Sequence, residues 1–331
     1  MFGGPTLSRQ GLRAVPSLMY LERQPNFSIG PEDEENENVN VARSAANLVP
    51  QGGLFWDGRA DTFQAQAAFP LRNPFEMDGG SIERVASKLR HASYAREFSV
   101  LFGPAILRAP RALVEEALFA VGRYEFEDVS FHPYSSKYDA WLEGKARLSP
   151  AEMRGLRLFE DPHAGNCAAC HLDRPTADGL PPLFTDHQYE ALGVPRNRAL
   201  LANRDPRYFD LGLCGPARKD LRAQTQFCGM FATPTLRNVA TRHAFFHNGR
   251  YHTLREVLDF YDFRATRPAK VYPGTPFDDI PATYRRNVDT TDPPFDRSPG
   301  SRPPLGIQDE RDIIAFLHTL TDGWKAPAPA R

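Results

Sequence analysis

The sequence predicts a mainly α-helical protein whose short helices are joined by long irregular loops. Three observations carry this. Apolar residues recur at helical spacing in several short windows, most of them opened by a capping residue. Proline is abundant, 30 of 331 residues, and falls largely in the connecting segments. Alternation never persists beyond a few residues, so no long strand is expected.

The elements follow in order. Residues 1–50 show little periodicity, and the acidic PEDEENENVN (31–40) reads as a solvated loop. Asp61 or Thr62 is placed to cap a short helix through Gln66–Ala68, which Pro70 should stop. Ser81 caps a second helix with Ile82, Val85 and Leu89 on one face. Tyr94–Phe102 is a short amphipathic piece ended by Gly103-Pro104, and Pro110–Phe126 aligns Leu113, Ala117, Leu118 and Val121. Residues 131–150 read as a linker carrying one short helix. Ser149, Pro150 and Glu152 then supply the N-cap, N1 and first-turn acid of a helix that stops at Asp161-Pro162. A long loop covers 172–230. Thr253 caps a helix bearing Leu254, Val257, Leu258 and Tyr261. A proline-rich loop spans 268–306, and the final helix runs Asp309–Leu320.

Directly after the helix that ends at Asp161 comes Cys167-Ala168-Ala169-Cys170-His171. Two thiols three positions apart with His following the second form the attachment site of a c-type haem. The thiols add to two vinyl groups and the imidazole binds the iron. A bare CxxC also fits a zinc half-site or a redox dithiol, and the fixed His favours haem. A second axial ligand would come from Met230, His243, His247, His252 or Tyr261, and sequence physics does not choose among them. The remaining cysteines, Cys214 and Cys228, sit beside glycines in one loop-like stretch. In an oxidising compartment they read as a disulfide closing a loop of about 15 residues, worth on the order of 3 kcal/mol; two buried free thiols are the alternative.

Lys and Arg number 40 against 41 Asp and Glu, a net charge of −1. That balance points to no nucleic-acid partner and no anionic membrane surface. No apolar run reaches the roughly 18 residues of a membrane span. The opening MFGGPTLSRQ shows no signal peptide. Haem c is attached outside the cytoplasm, so an upstream segment is expected.

Five ordered blocks carry a family resemblance: FWDGRADTFQAQAAFPLRNPFEM (55–77), LSPAEMRGLRLF followed by CAACH (148–171), TPTLRNVATRHAFFHNGR (233–250), TLREVLDFYD (253–262) and ERDIIAFLHTLTDG (310–323). On these the chain resembles the bacterial dihaem cytochrome c peroxidases, a family that includes the dihaem enzyme maturing the tryptophan cofactor of methylamine dehydrogenase. The resemblance implies two cytochrome c-like domains, here 1–145 (the N-terminal, peroxidatic unit) and 146–331 (the C-terminal, electron-transfer unit). The single CxxCH matches the C-terminal haem. Only ten residues precede GLRAVPSLMYL (11–21), the segment that normally follows the first motif, so the sequence is expected to begin downstream of that motif. An isolated product lacking that haem should be catalytically crippled. A genuine one-haem electron carrier is the alternative.

The resemblance assigns roles. Tyr261 matches the far ligand of the C-terminal haem, with Met230 as runner-up. Glu76 matches the acid–base carboxylate of the peroxide site, Gln66 and Pro70 its lining, and Trp56 the relay between haems. His247 matches a position near the haem-domain interface, suited to structure or propionate contact. The family also binds Ca2+ between its haems. Here PSL is followed by Met19-Tyr20, and Arg242, His243 and Ala244 occupy the positions that supply carbonyls, departures from that pattern. The implied protein is a periplasmic peroxidase reducing H2O2 with electrons from a cytochrome c or cupredoxin, with room for a homodimer. The alternative within the family is peroxide-driven oxidation of a protein or organic substrate.

Overall fold

The computed structural model describes residues 2–31 and 48–326, so most of the acidic stretch expected as a solvated loop lies outside the described residues. The helices are α1 (Phe63–Arg72), α2 (Ile82–Arg90), α3 (Ala95–Phe102), α4 (Pro110–Glu127), α5 (Lys137–Leu142), α6 (Pro150–Glu160), α7 (Leu254–Phe263), α8 (Pro268–Val271) and α9 (Ile307–His318). Among the described residues, strands form three antiparallel pairs: β1 (Phe2–Gly3) with β2 (Arg9–Gln10), β3 (Ser28–Pro31) with β4 (Leu48–Gln51), and β5 (Tyr189–Glu190) with β6 (Phe231–Ala232).

Capping chemistry fixes the helix starts. Thr62 accepts from the Ala65 N–H and Ser81 from the Arg84 N–H. Ser136 with Asp139, Ser149 with Glu152, and Thr253 with Glu256 form capping boxes. One expectation needs correction. Pro70 does not stop α1, which runs on to Arg72. Its missing N–H removes one intrahelical bond two residues before the end, and Asn73 N–H on the Phe69 carbonyl closes the last turn. Helix α3 forms as expected but buries none of its side chains, leaving Val100 and Leu101 in solvent.

Two cores result. The smaller gathers Val85, Ala86, Ile106, Leu113 and Val114 under α2 and α4. The larger is aromatic: Tyr138, Phe159, Phe184 and Phe316 meet mostly edge-on, with centroids 5.2–6.2 Å apart. Helices α6 and α9 cross here at Gly155, where a Cβ would lie 1.9 Å from the Asp312 carbonyl oxygen; only glycine permits that approach. Tyr138 belongs to α5, so this core includes a helix that lies before the expected boundary at 145/146.

An N-terminal strap, residues 13–24, ties the halves together. Arg13 bridges Asp57 and Asp210, Ala14 N–H donates to the His247 carbonyl, and the Tyr20 hydroxyl donates to Asp322 at 2.7 Å. The contacts of the strap thus reach from Asp57 to Asp322.

Candidate functional site

A cavity of about 580 Å³ lies between the larger core and the strap. Helix α6 ends at Asp161, and Asn166, in the left-handed region at φ 49°, turns the chain so that Cys167–Ala169 form one 3₁₀ turn on the cavity wall. Cys167, Cys170 and His171 all border the cavity, as do Trp56, Gln66, Met230, His247 and Tyr261. His243 and His252 do not; both are exposed, and His252 Nδ1 bonds the His243 carbonyl. Pro70 and Glu76 also lie outside the cavity lining. Glu76 is half-buried, its carboxylate accepting from the Asn73 side-chain amide at 2.8 Å, beside the N-terminal turn at Gly4.

The donor set fits a covalently held haem. Both thiols are free, and both cysteines border the cavity. Burial pushes the Cys167 thiol up to about 12 and raises the Cys170 thiol as well, so neither is a thiolate in the unloaded chain. Among the described residues no three His, Cys, Asp or Glu side chains come together as a metal cluster. His171 Nδ1 lies 2.9 Å from the Phe184 carbonyl; a carbonyl only accepts, so Nδ1 carries the proton and Nε2 keeps its lone pair. Burial lowers the His171 pKa to about 4, which keeps the ring neutral and able to ligate.

Tyr261 is held by rings. It stacks on Phe295 at 5.5 Å and stands edge-on to Phe260 at 5.4 Å. Burial raises its hydroxyl first, and negative charge on the cysteines would raise it further, so the phenol stays protonated unless a cation binds it. One stretch of the cavity wall is acidic. Glu190, with Asp289, Asp292 and Asp186 near it, is pushed up to about 8, mostly by burial and then by Asp289.

Trp56 sits in a turn built for it. Its indole N–H donates to the Ala14 carbonyl at 2.8 Å, and its own carbonyl accepts from Ala232 N–H at 3.0 Å. Gly58, at φ 60°, brings the backbone beneath the Tyr189 hydroxyl, where a Cβ would stand 2.1 Å away. Asp57, fully buried, accepts from Arg13 at 2.8 Å and Arg59 at 2.7 Å. Arg218 Nη1 donates to the Asp57 and Gly58 carbonyls, both at 3.0 Å. His247 is stacked face to face on Phe231 at 3.5 Å, with Nε2 3.8 Å from Asp279.

The place implied for calcium has a different chemistry. Arg242 Nη2 donates to the Val15 carbonyl at 2.8 Å, and Asn238 Nδ2 meets the Met19 sulfur at 3.5 Å. The residue after PSL thus brings a thioether where the pattern has an amide oxygen, and the Arg242 guanidinium already holds the nearby Val15 carbonyl. Cys214 and Cys228 are disulfide-bonded, with Cα atoms 5.0 Å apart.

Sequence reasoning missed Arg13, Asp57, Asp210, Thr235 and Arg237. Asp57 and the last two lay inside blocks that carried the resemblance, but no local pattern marks them. Their partners are up to 197 residues away.

A family model described as di-haem cytochrome c peroxidase matches residues 15–147. Methylamine utilization protein MauG of Paracoccus denitrificans is 33% identical over 352 residues, covering 97% of this chain and 87% of the relative. Cytochrome c551 peroxidase of Nitrosomonas europaea is 27% identical, covering 78% and 70%. The crystal structure of the diheme peroxidase BthA from Burkholderia thailandensis superposes with a TM-score of 0.85 at 40% identity, over 97% of this chain and 74% of that one.

Proposed function

Because the chain belongs to the di-haem cytochrome c peroxidase family, we propose that it reduces hydrogen peroxide to water in the periplasm, drawing electrons from a cytochrome c or cupredoxin. The observation that carries this reading is the convergence of Cys167, Cys170, His171, Tyr261 and Trp56 on one cavity. Bound haem would supply iron that takes up and passes on single electrons.

The residues divide the work. Cys167 and Cys170 would anchor the porphyrin through thioethers, and His171 Nε2 would bind its iron. Tyr261 would be the second protein ligand to that iron, and its phenolate would favour the oxidised metal. Met230 also borders the cavity and is the runner-up. Trp56, pinned by its N–H and carbonyl, passes charge between the two halves. Glu76 takes a proton from peroxide on its carboxylate and returns it to the departing oxygen. Gln66 and Pro70 shape that pocket, and His247 borders the interface between the halves. On this reading residues 1–145 contribute the peroxidatic unit and 146–331 the electron-receiving unit.

The disulfide supports an oxidising compartment. Among the described residues no helix is long and apolar enough to cross a membrane.

A second reading, peroxide-driven oxidation of a protein or organic substrate, is favoured by a tyrosine rather than a methionine at 261. The test uses protein matured in a host competent for c-type haem. Haem per chain comes from intact mass, and turnover is compared with reduced cytochrome c and with an organic donor. Peroxide-dependent cytochrome oxidation supports the first reading. Intact haem with organic-donor turnover alone overturns it in favour of the second.

A further inference from the structure

Four consecutive carbonyls, 181–184, each accept one side-chain donor. Arg23 Nη2 donates to Pro181, Arg237 Nε to Pro182 at 2.9 Å, Thr235 Oγ1 to Leu183 at 2.6 Å, and His171 Nδ1 to Phe184 at 2.9 Å. The rail continues one residue further, where the Thr185 hydroxyl donates to the Thr233 carbonyl at 2.7 Å. Phe184 is fully buried and holds a left-handed φ of 56°, a conformation a phenylalanine keeps only when its surroundings impose it.

The far side of the rail is equally fixed. The Arg237 side chain is fully buried. Its Nη1 lies 2.7 Å from both carboxylate oxygens of Asp139, the residue that also completes the capping box of α5. Its guanidinium carbon stands 5.2 Å from the ring centres of both Tyr20 and Tyr134. The Thr235 hydroxyl, besides donating to Leu183, accepts from the Arg237 N–H at 3.1 Å. Helix α5, Arg237, Thr235, the 182–184 backbone and the His171 ring are thus one continuous hydrogen-bonded assembly.

We propose that Arg237 and Thr235 are positioning residues for the haem-binding imidazole. By holding the Pro182 and Leu183 carbonyls they fix the Phe184 carbonyl against His171 Nδ1, and so set how strongly that ring donates to iron. The inference rests on haem being bound at Cys167, Cys170 and His171. A well-placed acceptor on Nδ1–H makes the imidazole more basic, which favours oxidised iron and lowers the reduction potential. Loosening the rail lets the Phe184 carbonyl retreat, and the potential rises.

The test uses the full chain matured with haem. Thr235→Val removes the hydroxyl without changing shape, Thr235→Ser restores it, and Arg237→Gln removes the second anchor. The midpoint potential and low-spin EPR g-values of the haem at Cys170 are read alongside thermal melting. Thr235→Val is expected to raise the potential and shift the g-values, and Thr235→Ser to return both to the parent values. Arg237→Gln, where it folds, should shift them in the same direction. A Thr235→Val protein with the parent potential and g-values, whatever its melting temperature, overturns the proposal. A parent chain carrying no covalent haem would instead sink the haem assignment on which it stands.

Discussion

The indole N–H of Trp56 donates to the carbonyl of Ala14 at 2.8 Å, and the N–H of that same Ala14 donates to the His247 carbonyl at 2.8 Å. One strap residue therefore fixes the tryptophan and the cavity-lining histidine relative to each other. Trp56→Phe keeps a ring but leaves the Ala14 carbonyl without its donor, at a cost of about 1–3 kcal/mol in stability. If Trp56 passes charge between the halves, peroxide-dependent donor oxidation should fall by roughly tenfold or more, about 1.4 kcal/mol on the barrier. The spectrum of the haem at Cys170 should not change. Stopped-flow oxidation of the reduced donor measures this, and parent-like rates would remove Trp56 from the path.

Tyr261 tests the far ligand. Tyr261→Phe keeps the stack on Phe295 but removes the oxygen, so the six-coordinate low-spin spectrum should be lost and the reduction potential should rise. Optical and EPR spectra of the oxidised protein report it directly. An unchanged low-spin signature would refute ligation and turn attention to Met230.

Glu76 tests the proton transfer. Glu76→Gln keeps the size of the side chain but cannot take a proton, so the rate of reaction with peroxide should drop roughly 10²–10⁴-fold. The Asn73 side-chain contact can reform with the amide oxygen, so melting should move little. A parent-like peroxide rate would leave Glu76 a turn residue only.

Asp210 gives a pH dependence. Burial alone would raise its carboxyl, but the charge and hydrogen bonds of Arg13 outweigh this and hold it below the usual Asp range. The folded chain then binds fewer protons at Asp210 than the unfolded chain does. Its contribution to stability is present above about pH 4 and is lost as pH falls through the lowered folded value. Asp210→Asn should lower the melting temperature near pH 7 and narrow its gap to the parent as the buffer is acidified. A gap that stays constant down to pH 3 would show that the Arg13 contact adds nothing net.

The helices were legible because their signals are local. Ser81, Ser149 and Thr253 each sit within three residues of the N–H they cap. Pro70 misled because its effect depends on distance from the helix end, and α1 had only two residues left to form. The covalent haem motif was legible for the same local reason. The clamp of Arg13 on Asp57 and Asp210 was not, since its partners are 44 and 197 residues away and each reads alone as an ordinary surface charge. Nor was the carbonyl rail, which rests on a positive φ at Phe184 that no residue type announces.

The strap also dictates an order of assembly. Its partners include Pro181, Asp210, His247 and Asp322, so during synthesis it emerges long before anything it can grip. Closing such contacts requires ordering most of the chain first, which makes docking of residues 13–24 a late event. Residues 16–21 of the strap line the cavity. A prosthetic group held there would lie against the strap, so the element that docks late is also part of the wall around it.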